Sequence, residues 1–584
     1  MPNESAAERA AKEAFDRVCS CIEKNKNFLL EAGAGAGKTH SLISAVKYVL
    51  ARRGDELVRR RQQIACITFT NVAKGEIEAR TGRHDAVYSD TVHGFCWSLL
   101  KGFQPQLRKT LAGLTNWQAA LGESGGLGAR RVEYDLGYMS INDKSVSLRH
   151  DDVLSLMGRF LELPKFRDLL SAQYPILFID EYQDTDAVLV EAIKAHFLDA
   201  AQGPLIGFFG DHWQKIYEST CGKIQHASLE VIGKRANFRS GAAIVQCLNQ
   251  MRPELPQMVK DADLLGEALV FHTNQWSGER QAGAHWKGDL PPAVAHNFIK
   301  VARNHLEKSG WDFDPKKTKI LMLTHNVLAK EQGYPSLPGI FANNDAFIKK
   351  EDPHIDFFVD ILEPACAAYE RKRYGEMFAA LGARVPAISS HADKVEWSRF
   401  MDALLSVRGE DSVGAVTDLI RKGRRLRLPD KVEQKEQALE RLGPVAADDE
   451  LSHISRLRKL RSVPYKEIIA LSQYIEGHTP FATKHGVKGA EFENVLVVVG
   501  RGWSKYNFEQ MLCLARSEVA SDKQEFFERN RNLFYVACSR PKMRLALLFT
   551  QHLSDLAIET LSSWFGQGAI ISLPGNLGLS SLAH

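Results

Sequence analysis

A run of alternating small residues ends in lysine and threonine near the start of the chain, at Ala32-Gly33-Ala34-Gly35-Ala36-Gly37-Lys38-Thr39. Glycines let such a loop bend tightly and direct backbone N–H groups at phosphate oxygens. Lys38 would then reach the β- and γ-phosphates of a nucleotide, and the Thr39 hydroxyl would bind magnesium. The strict pattern has Gly where this chain has Ala32. The apolar residues before the loop and the helical pattern after it favour a nucleoside triphosphate site over a flexible turn.

Two carboxylates follow an apolar run at residues 176–181. Such a pair at a strand end can serve a magnesium–triphosphate site. Asp180 would hold magnesium through water, and Glu181 would orient and deprotonate the attacking water. An apolar run followed by Asp-Glu is common by itself, but together with the upstream loop it indicates ATP hydrolysis with Mg²⁺.

Three further polar residues fit the same chemistry. Gln214, in the segment 210–217, offers a neutral amide that can sense the γ-phosphate, and the alternative is a polar turn. Arg239 and Arg540 are candidates to stabilise charge on the transferring phosphate. The alternative for each arginine is a surface ion pair.

These residues need a sheet that brings them to one edge. Apolar runs read as buried strands that alternate with helical segments, which predicts a parallel sheet with its ligands at the carboxyl edge. A second set of strands and helices follows later in the chain. The predicted strands of the two sets lie at 28–30, 64–68, 176–179 and 205–209, then at 319–324, 495–499 and 544–549.

The fold class expected from this pattern is α/β, with two P-loop NTPase lobes that each carry an inserted, mostly helical subdomain. Too many residues are present for one core. The predicted boundaries are 1–86 and 171–240 for the first lobe with 87–170 inserted, and 241–345 and 466–584 for the second lobe with 346–465 inserted.

Composition adds few constraints. The 584 residues are 25% charged and 44% hydrophobic with a net charge of +4, which is ordinary for a globular protein. No apolar stretch approaches the length of a membrane span, so no membrane partner is expected. The nine cysteines are scattered, which favours reduced thiols and a cytoplasmic location. Basic runs such as 421–427 and 456–461 are more often solvated helix faces than DNA contacts.

In order along the chain, these segments resemble the motifs of the UvrD/Rep/PcrA branch of superfamily-one DNA helicases. The loop is similar to motif I. The later motifs, from Ia to VI, are matched by residues 68–71, 91–95, 180–185, 210–217, 237–240, 483–492 and 533–540. The resemblance implies two RecA-like lobes and a motor that hydrolyses ATP while moving on single-stranded or tailed duplex DNA, usually 3′ to 5′.

The same resemblance implies roles for residues outside the ATP chemistry. Glu491 would lie near the ribose. Aromatic faces stack on any base, while hydroxyl and amide groups hold phosphates without reading sequence. The positions assigned to the DNA-facing side by analogy are Thr68, Phe69, Asn71, His93, Thr483 and His485.

The chain departs from the family pattern at two places. Upstream of the loop, family members carry a glutamine that recognises adenine, whereas the first glutamine of this chain is Gln62. Other purine triphosphates are therefore possible substrates. An aromatic residue and an arginine that touch DNA in the family are replaced by Ser219 and Thr220, which predicts less efficient stepping or weaker DNA binding.

The segment after Arg540 is too short for the nuclease domain fused to RecB-type motors, so any cutting is expected from another polypeptide. A short UvrD-like chain is similar to the helicase component of Gabija-type anti-phage systems, where the partner is an ATPase–Toprim nuclease. Two alternatives stay open: a DNA-end or single-strand sensor that regulates a bound nuclease with little unwinding, and a DNA repair or recombination helicase. A nucleotide-binding scaffold with a dead site is disfavoured because every ATP-site residue type is present.

Overall fold

The computed structural model describes most of the chain. The described residues are 4–134, 139–200, 203–216, 219–283, 286–323, 332–341, 345–348, 350–382, 385, 388–442, 452–476, 481–483, 490–501 and 506–575.

The strands match the predicted apolar runs closely in the first part of the chain. Those before residue 270 are β1 (Phe28–Ala32), β2 (Ile64–Thr68), β3 (Val87–Thr91), β4 (Arg131–Glu133), β5 (Ser140–Ile141), β6 (Ser145–Ser147), β7 (Ile176–Asp180), β8 (Leu205–Gly210), β9 (Glu230–Lys234), β10 (Ala236–Asn237) and β11 (Met258–Val259). The later strands are β12 (Glu267–His272), β13 (Thr318–Met322), β14 (Phe481–Thr483), β15 (Phe492–Val499), β16 (Pro541–Phe549) and β17 (Ile570–Ser572).

Helices alternate with these strands. The first ten are α1 (Ala6–Glu23), α2 (Lys38–Arg59), α3 (Asn71–Arg80), α4 (Val92–Leu100), α5 (Gln104–Ala112), α6 (Thr115–Glu123), α7 (His150–Leu161), α8 (Pro164–Gln173), α9 (Ala187–Ile193) and α10 (Ala242–Met251). Those that follow are α11 (Pro292–Lys308), α12 (Asp345–Ile348), α13 (Pro353–Phe357), α14 (Glu363–Glu370), α15 (Tyr374–Leu381), α16 (His391–Glu410), α17 (Val413–Gly423), α18 (Asp430–Leu442), α19 (Ser452–Arg461), α20 (Lys466–Ile475), α21 (Phe508–Leu514), α22 (Gln524–Cys538) and α23 (Asp555–Phe565).

The first sheet has six parallel strands in the order β3-β2-β7-β8-β1-β9. Parallel pairing brings the carboxyl ends of its strands to one edge, as the alternating pattern predicts. Its two faces are covered by separate apolar layers: Phe28 and Leu30 of β1 belong to one, and Leu29 belongs to the other. The prediction of an α/β P-loop fold is confirmed.

The chain forms two compact units by its contacts. Unit 1 comprises Met1–Leu269, Gln510–Leu545 and Asp555–Ile570, and unit 2 comprises Val270–Glu509, Ala546–Ser554 and Ile571–His584. This division differs from the predicted boundaries, which assigned all of 466–584 to the second lobe. Local pattern alone does not report which unit a C-terminal helix packs against.

The sequence placed 87–170 in an insertion, but the range starts inside the first sheet. Strand β3 pairs with β2 in parallel register. Its polar residues, Tyr-Ser-Asp-Thr after Val87, hide it from a search for apolar runs. The rest of the range holds helices α4 to α8 and a small sheet in the order β4-β6-β5.

The second sheet has the order β14-β13-β15-β16-β12-β17, with β13 parallel to both β14 and β15. Helices α13 to α20 fall between β13 and β14 in the chain, within or close to the helical range predicted at 346–465. All nine cysteines are free thiols. Within the described ranges, no helix combines the length and apolar character that a bilayer crossing requires.

Candidate active site

The small-residue loop joins β1 to α2 and has the backbone that its glycines permit. Gly35 and Gly37 both have φ of +73°, a left-handed conformation that other residues adopt only with strain. A methyl group on Gly35 would lie 2.7 Å from Asn237 Oδ1. The loop therefore needs glycine at Gly37 for its conformation and at Gly35 for both conformation and space. Helix α2 begins directly at Lys38, so its N-terminal N–H groups face the loop.

Two buried amides hold the loop in shape. The Ala34 carbonyl accepts hydrogen bonds from Asn237 Nδ2 at 3.1 Å and from Gln257 Nε2 at 3.0 Å. Gln257 also donates to the Ala236 carbonyl at 2.9 Å. No sequence motif indicates Gln257, because this residue lies outside every motif and reaches the loop only through the tertiary fold.

The acidic pair lies beside the start of α2. Thr39 Oγ1 donates a hydrogen bond to Asp180 Oδ2 at 3.2 Å, and Lys38 Nζ lies 3.6 Å from Glu181 Oε1. Glu181 has φ of +48°, so the chain turns sharply after β7 and directs the two carboxylates differently. The residues named for the loop and for the acidic pair are thus brought together.

Asp180 is buried beside a second acidic side chain, that of Glu181. Burial first, and then the neighbouring charge of Glu181, raise the pKa of the Asp180 carboxyl to about 7, although Lys38 partly opposes the rise. A threonine hydroxyl beside a buried carboxylate is an oxygen donor set that suits Mg²⁺. The residues present therefore fit the magnesium ion that the sequence predicts, with Thr39 and Asp180 as its holders.

A chain of hydrogen bonds links Glu181 to Gln214. Gln183 Nε2 donates to Glu181 Oε2 at 2.5 Å, and the Asp211 N–H donates to Gln183 Oε1 at 2.9 Å. Gln214 Nε2 then donates to Asp211 Oδ2 at 2.7 Å. Gln214 is 4% exposed, so its amide is held within this network.

Both candidate arginines lie in unit 1 with the loop. Arg540 is 1% exposed, and its Nη2 donates to Gln214 Oε1 at 3.4 Å. Arg239 Nη1 donates to the Ser539 carbonyl at 2.9 Å, next to Arg540 in the chain. A methyl group on Gly35 would lie 2.8 Å from Arg239 Cβ, so this residue packs on the loop itself. Neither contact is the surface ion pair that was the alternative.

A buried ion-pair cluster connects β1 to the segment after β8. Arg252 Nη2 lies 2.8 Å from Glu31 Oε1 and Nη1 lies 2.6 Å from Asp211 Oδ1. His212 Nδ1 lies 2.6 Å from Glu31, and the Tyr182 hydroxyl donates to the same carboxylate. Burial alone would raise the pKa of Glu31, but His212 and then Arg252 lower it to about 2. We call these five residues the Arg252 cluster.

Phe238 is a further residue beside the loop to which sequence reasoning assigned no role. Its N–H donates to the Gly35 carbonyl at 2.9 Å, and its side chain is 39% exposed. An exposed aromatic ring next to a phosphate loop offers a stacking surface for a nucleobase. The available signal was its place between Asn237 and Arg239, but sequence alone does not tell an exposed ring from a core ring.

The DNA-facing residues predicted in unit 1 differ in exposure. Phe69 is 42% exposed and Asn71 is exposed at the start of α3. Thr68 is fully buried and donates to the Thr70 carbonyl, so its hydroxyl is used within the turn. His93 Nε2 is buried without a hydrogen-bond partner among the described residues. Burial lowers the pKa of His93, and nearby His150 lowers it further.

A cavity of about 380 Å³ is lined both by predicted DNA-facing residues and by the two positions where the chain departs from the helicase pattern. Phe69, His93, His150, Ser219 and Thr220 are among its lining residues. Ser219 is exposed and Thr220 is buried. Because neither residue has an aromatic ring, neither offers the cavity a surface for stacking on a base.

The remaining predicted residues lie in unit 2. Glu491 is exposed just before β15. Thr483 ends β14, where its backbone pairs with Met322. His485 lies outside the described residues, and so does Tyr217 at the end of the segment 210–217.

The chain is similar in sequence to known ATPases and helicases. Residues 17–220 match an AAA domain model. The chain is 23% identical to Gabija protein GajB of Bacillus cereus (strain HuB5-5), over 95% of this chain and 97% of that protein. It is 22% identical to ATP-dependent DNA helicase PcrA of Staphylococcus aureus (strain Mu50 / ATCC 700699), over 42% of this chain and 41% of that protein.

The match to GajB therefore runs along nearly the whole of both chains, whereas the match to PcrA covers less than half of each. The matched AAA domain contains the loop, β7 with its two carboxylates and the segment after β8. The motif order, the phosphate loop with its acidic pair, and these matches support an ATP-dependent helicase of UvrD/PcrA-like type that is related to GajB and PcrA.

Proposed function

We propose that the chain is a DNA-stimulated ATPase that moves on single-stranded DNA, 3′ to 5′, and serves a separate nuclease in anti-phage defence. The observation that carries the catalytic part is the convergence of Lys38, Glu181, Gln214 and Arg540 around one loop in unit 1. The defence role is supported by the end-to-end match to GajB. A cytoplasmic site of action belongs to the same proposal.

In the proposed reaction, Glu181 takes the proton of the attacking water, because it is the partly exposed member of the acidic pair. Lys38 and the N–H groups of the loop hold the β- and γ-phosphates. Mg²⁺ on Thr39 and Asp180 would neutralise charge on the phosphates when bound. Gln214 would report the γ-phosphate to Arg540, to which it is hydrogen-bonded.

Arg540 stabilises charge on the transferring phosphate in this proposal. Arg239, which donates a hydrogen bond to the Ser539 carbonyl, takes the same kind of role. Phe238 stacks on the nucleobase, which requires no specific edge contacts and would admit other purines. Glu491 near the ribose remains part of the proposal.

The DNA part rests on the exposed residues near the 380 Å³ cavity. Phe69 would stack on a base and Asn71 would hold the backbone, both without reading sequence. Thr483 and His485, assigned by analogy with the helicase motifs, are two further proposed DNA contacts. A nuclease subunit, of ATPase–Toprim type if the system is Gabija-like, is the proposed protein partner.

Steady-state ATP hydrolysis with and without single-stranded DNA tests this proposal. We expect strong stimulation by DNA, abolished in Lys38→Ala, and displacement of a strand from a 3′-tailed duplex. Exchange of the 3′ tail for a 5′ tail tests polarity. A hydrolysis rate that is indifferent to DNA would contradict the motor function.

A second function is favoured by one specific observation, the small residues Ser219 and Thr220 at the cavity. A sensor of DNA ends or single strands needs binding but not a wedge that separates strands. It would show DNA-stimulated hydrolysis without strand displacement, and its ATP cycle would change the activity of the nuclease partner. Strand displacement by the isolated chain therefore distinguishes the motor from the sensor.

A further inference from the structure

Lys234 is a buried cation at the edge of the phosphate loop. It is the last residue of β9 and pairs in register with Ala32, where the loop begins. Its residue exposure is 5%, and no carboxylate within the described ranges forms an ion pair with it. A buried ammonium group without a counter-charge is costly, so its retention at this position calls for a physical reason.

The neighbours of the ammonium group are neutral. Nζ donates to Ser41 Oγ at 2.7 Å and to the Gly37 carbonyl at 3.4 Å. Both acceptors belong to the start of α2, where the helix dipole disfavours cations and favours anions. Burial accordingly lowers the pKa of Lys234 to about 8. Burial and the positive end of the helix dipole both disfavour the charged ammonium group. A bound anion would offset both unfavourable effects.

The sheet order indicates which part of a nucleotide reaches this position. Strand β7, with Asp180 at its end, lies on one side of β1, and β9 with Lys234 lies on the other. Lys234 Nζ is also 5.7 Å from the centre of the Phe238 ring. The ammonium group therefore lies between the start of α2 and the exposed ring, away from the acidic pair that serves the terminal phosphate.

We propose that Lys234 is a second nucleotide-binding lysine, which contacts the phosphate attached to the ribose, the α-phosphate. This inference rests on the nucleoside triphosphate site and not on movement along DNA. A contact with the α-phosphate is present in ATP and ADP alike and does not depend on the base. It would supply affinity that a chain without the upstream adenine-reading glutamine does not obtain from the base edge.

The test compares Lys234→Met with the wild-type full chain by titration of fluorescent ATP and ADP analogues. Loss of a hydrogen bond to a charged phosphate predicts Kd values about 10- to 100-fold higher, equally for both nucleotides. The kcat at saturating ATP should stay close to wild type, because the α-phosphate gains no charge as the γ-phosphate is transferred. Lys234→Arg should restore part of the affinity.

Lys319→Met is the matched control. Lys319 is also a buried lysine on a strand, 9% exposed on β13, and burial lowers its pKa as well. Its replacement removes a buried ammonium group in unit 2 and should leave the nucleotide Kd unchanged. Thermal melting of each variant reports folding separately from binding.

Unchanged Kd values in folded Lys234→Met would overturn the proposal. So would a fall in kcat with unchanged Kd, since that pattern belongs to a residue that only shapes the loop. If the methionine variant does not fold, Lys234→Gln, which keeps a donor for Ser41, replaces it. Failure of both to fold would make the role structural and also reject the proposal. If the wild-type chain binds no nucleotide, the proposed ATPase function fails first.

Discussion

Replacement of Arg252 by methionine would measure what the Arg252 cluster contributes to the stability of unit 1. The guanidinium group is almost fully buried and lies within 2.8 Å of two carboxylates, those of Glu31 and Asp211. Methionine fills part of the space but leaves both carboxylates buried without the guanidinium group, and His212 then remains beside Glu31 only. Removal of one partner from a buried ion pair costs about 3–5 kcal/mol, because the remaining charge stays out of water.

A large domain loses about 2 °C of Tm for each kcal/mol, so we expect the Tm of unit 1 to fall by about 6–10 °C. Differential scanning calorimetry separates this transition from that of unit 2. Arg159→Met is the matched control, because Arg159 pairs with Glu162 at 3.0 Å on the surface, where both side chains are more than half exposed. Such surface pairs contribute at most about 1 kcal/mol.

The effect should also depend on pH with a definite sign. The pKa of Glu31 is lowered from 4.5 to about 2 in the folded state. Its ionised form therefore contributes stability above about pH 4.5, and this contribution is lost as the pH falls towards 2. The variant loses the share of this stabilisation that comes from the contact with Arg252. The Tm difference from wild type should therefore be largest at neutral pH and should decrease below pH 4.5. A change in Tm of less than 2 °C at pH 7, or a difference independent of pH, would refute this reasoning.

Three further predictions concern activity. Glu181→Gln should retain ATP binding but lower kcat by about 10²- to 10⁴-fold, and a normal rate of phosphate release would remove Glu181 as the base. Arg540→Ala should slow hydrolysis about 10³-fold or more while nucleotide Kd changes little; an unchanged rate would assign the charge-stabilising role to Arg239. Phe69→Ala should weaken single-stranded DNA binding about 5- to 100-fold in fluorescence anisotropy, against no change for Leu169→Ala, another exposed apolar residue. Equal DNA affinity of these last two variants would exclude stacking on Phe69.

Much of the fold could be predicted because its signals are local. Strand β2 occupies the predicted residues 64–68, and β7 and β8 each extend the prediction by one residue. The phosphate loop has a short pattern whose chemistry is specific. Strand β3 falls within the predicted insertion, since most of its residues are polar and its place in the sheet depends on pairing with β2.

The residues that sequence reasoning did not find act over long separations. Gln257 reaches a loop more than 200 residues upstream, and Arg252 joins a strand that begins at Phe28 to the segment after β8. No spacing rule connects such positions. Lys234 is likewise not identified from the sequence, because its proposed role is inferred from its burial and from the lack of an ion-pair partner within the described ranges. A basic residue at the end of a strand is unremarkable until its surroundings are known.

The two amides that hold the Ala34 carbonyl have a consequence for nucleotide exchange. Asn237 and Gln257 hold the loop through hydrogen bonds within the protein, so its shape does not depend on contacts with a nucleotide. Little conformational freedom is then left to lose on binding, which favours tight capture of ATP and ADP alike. A phosphate loop that is already held in its binding shape does not by itself distinguish ATP from ADP. Turnover would then have to be timed by the groups that sense the missing γ-phosphate, and ADP release would be the slow step of the cycle.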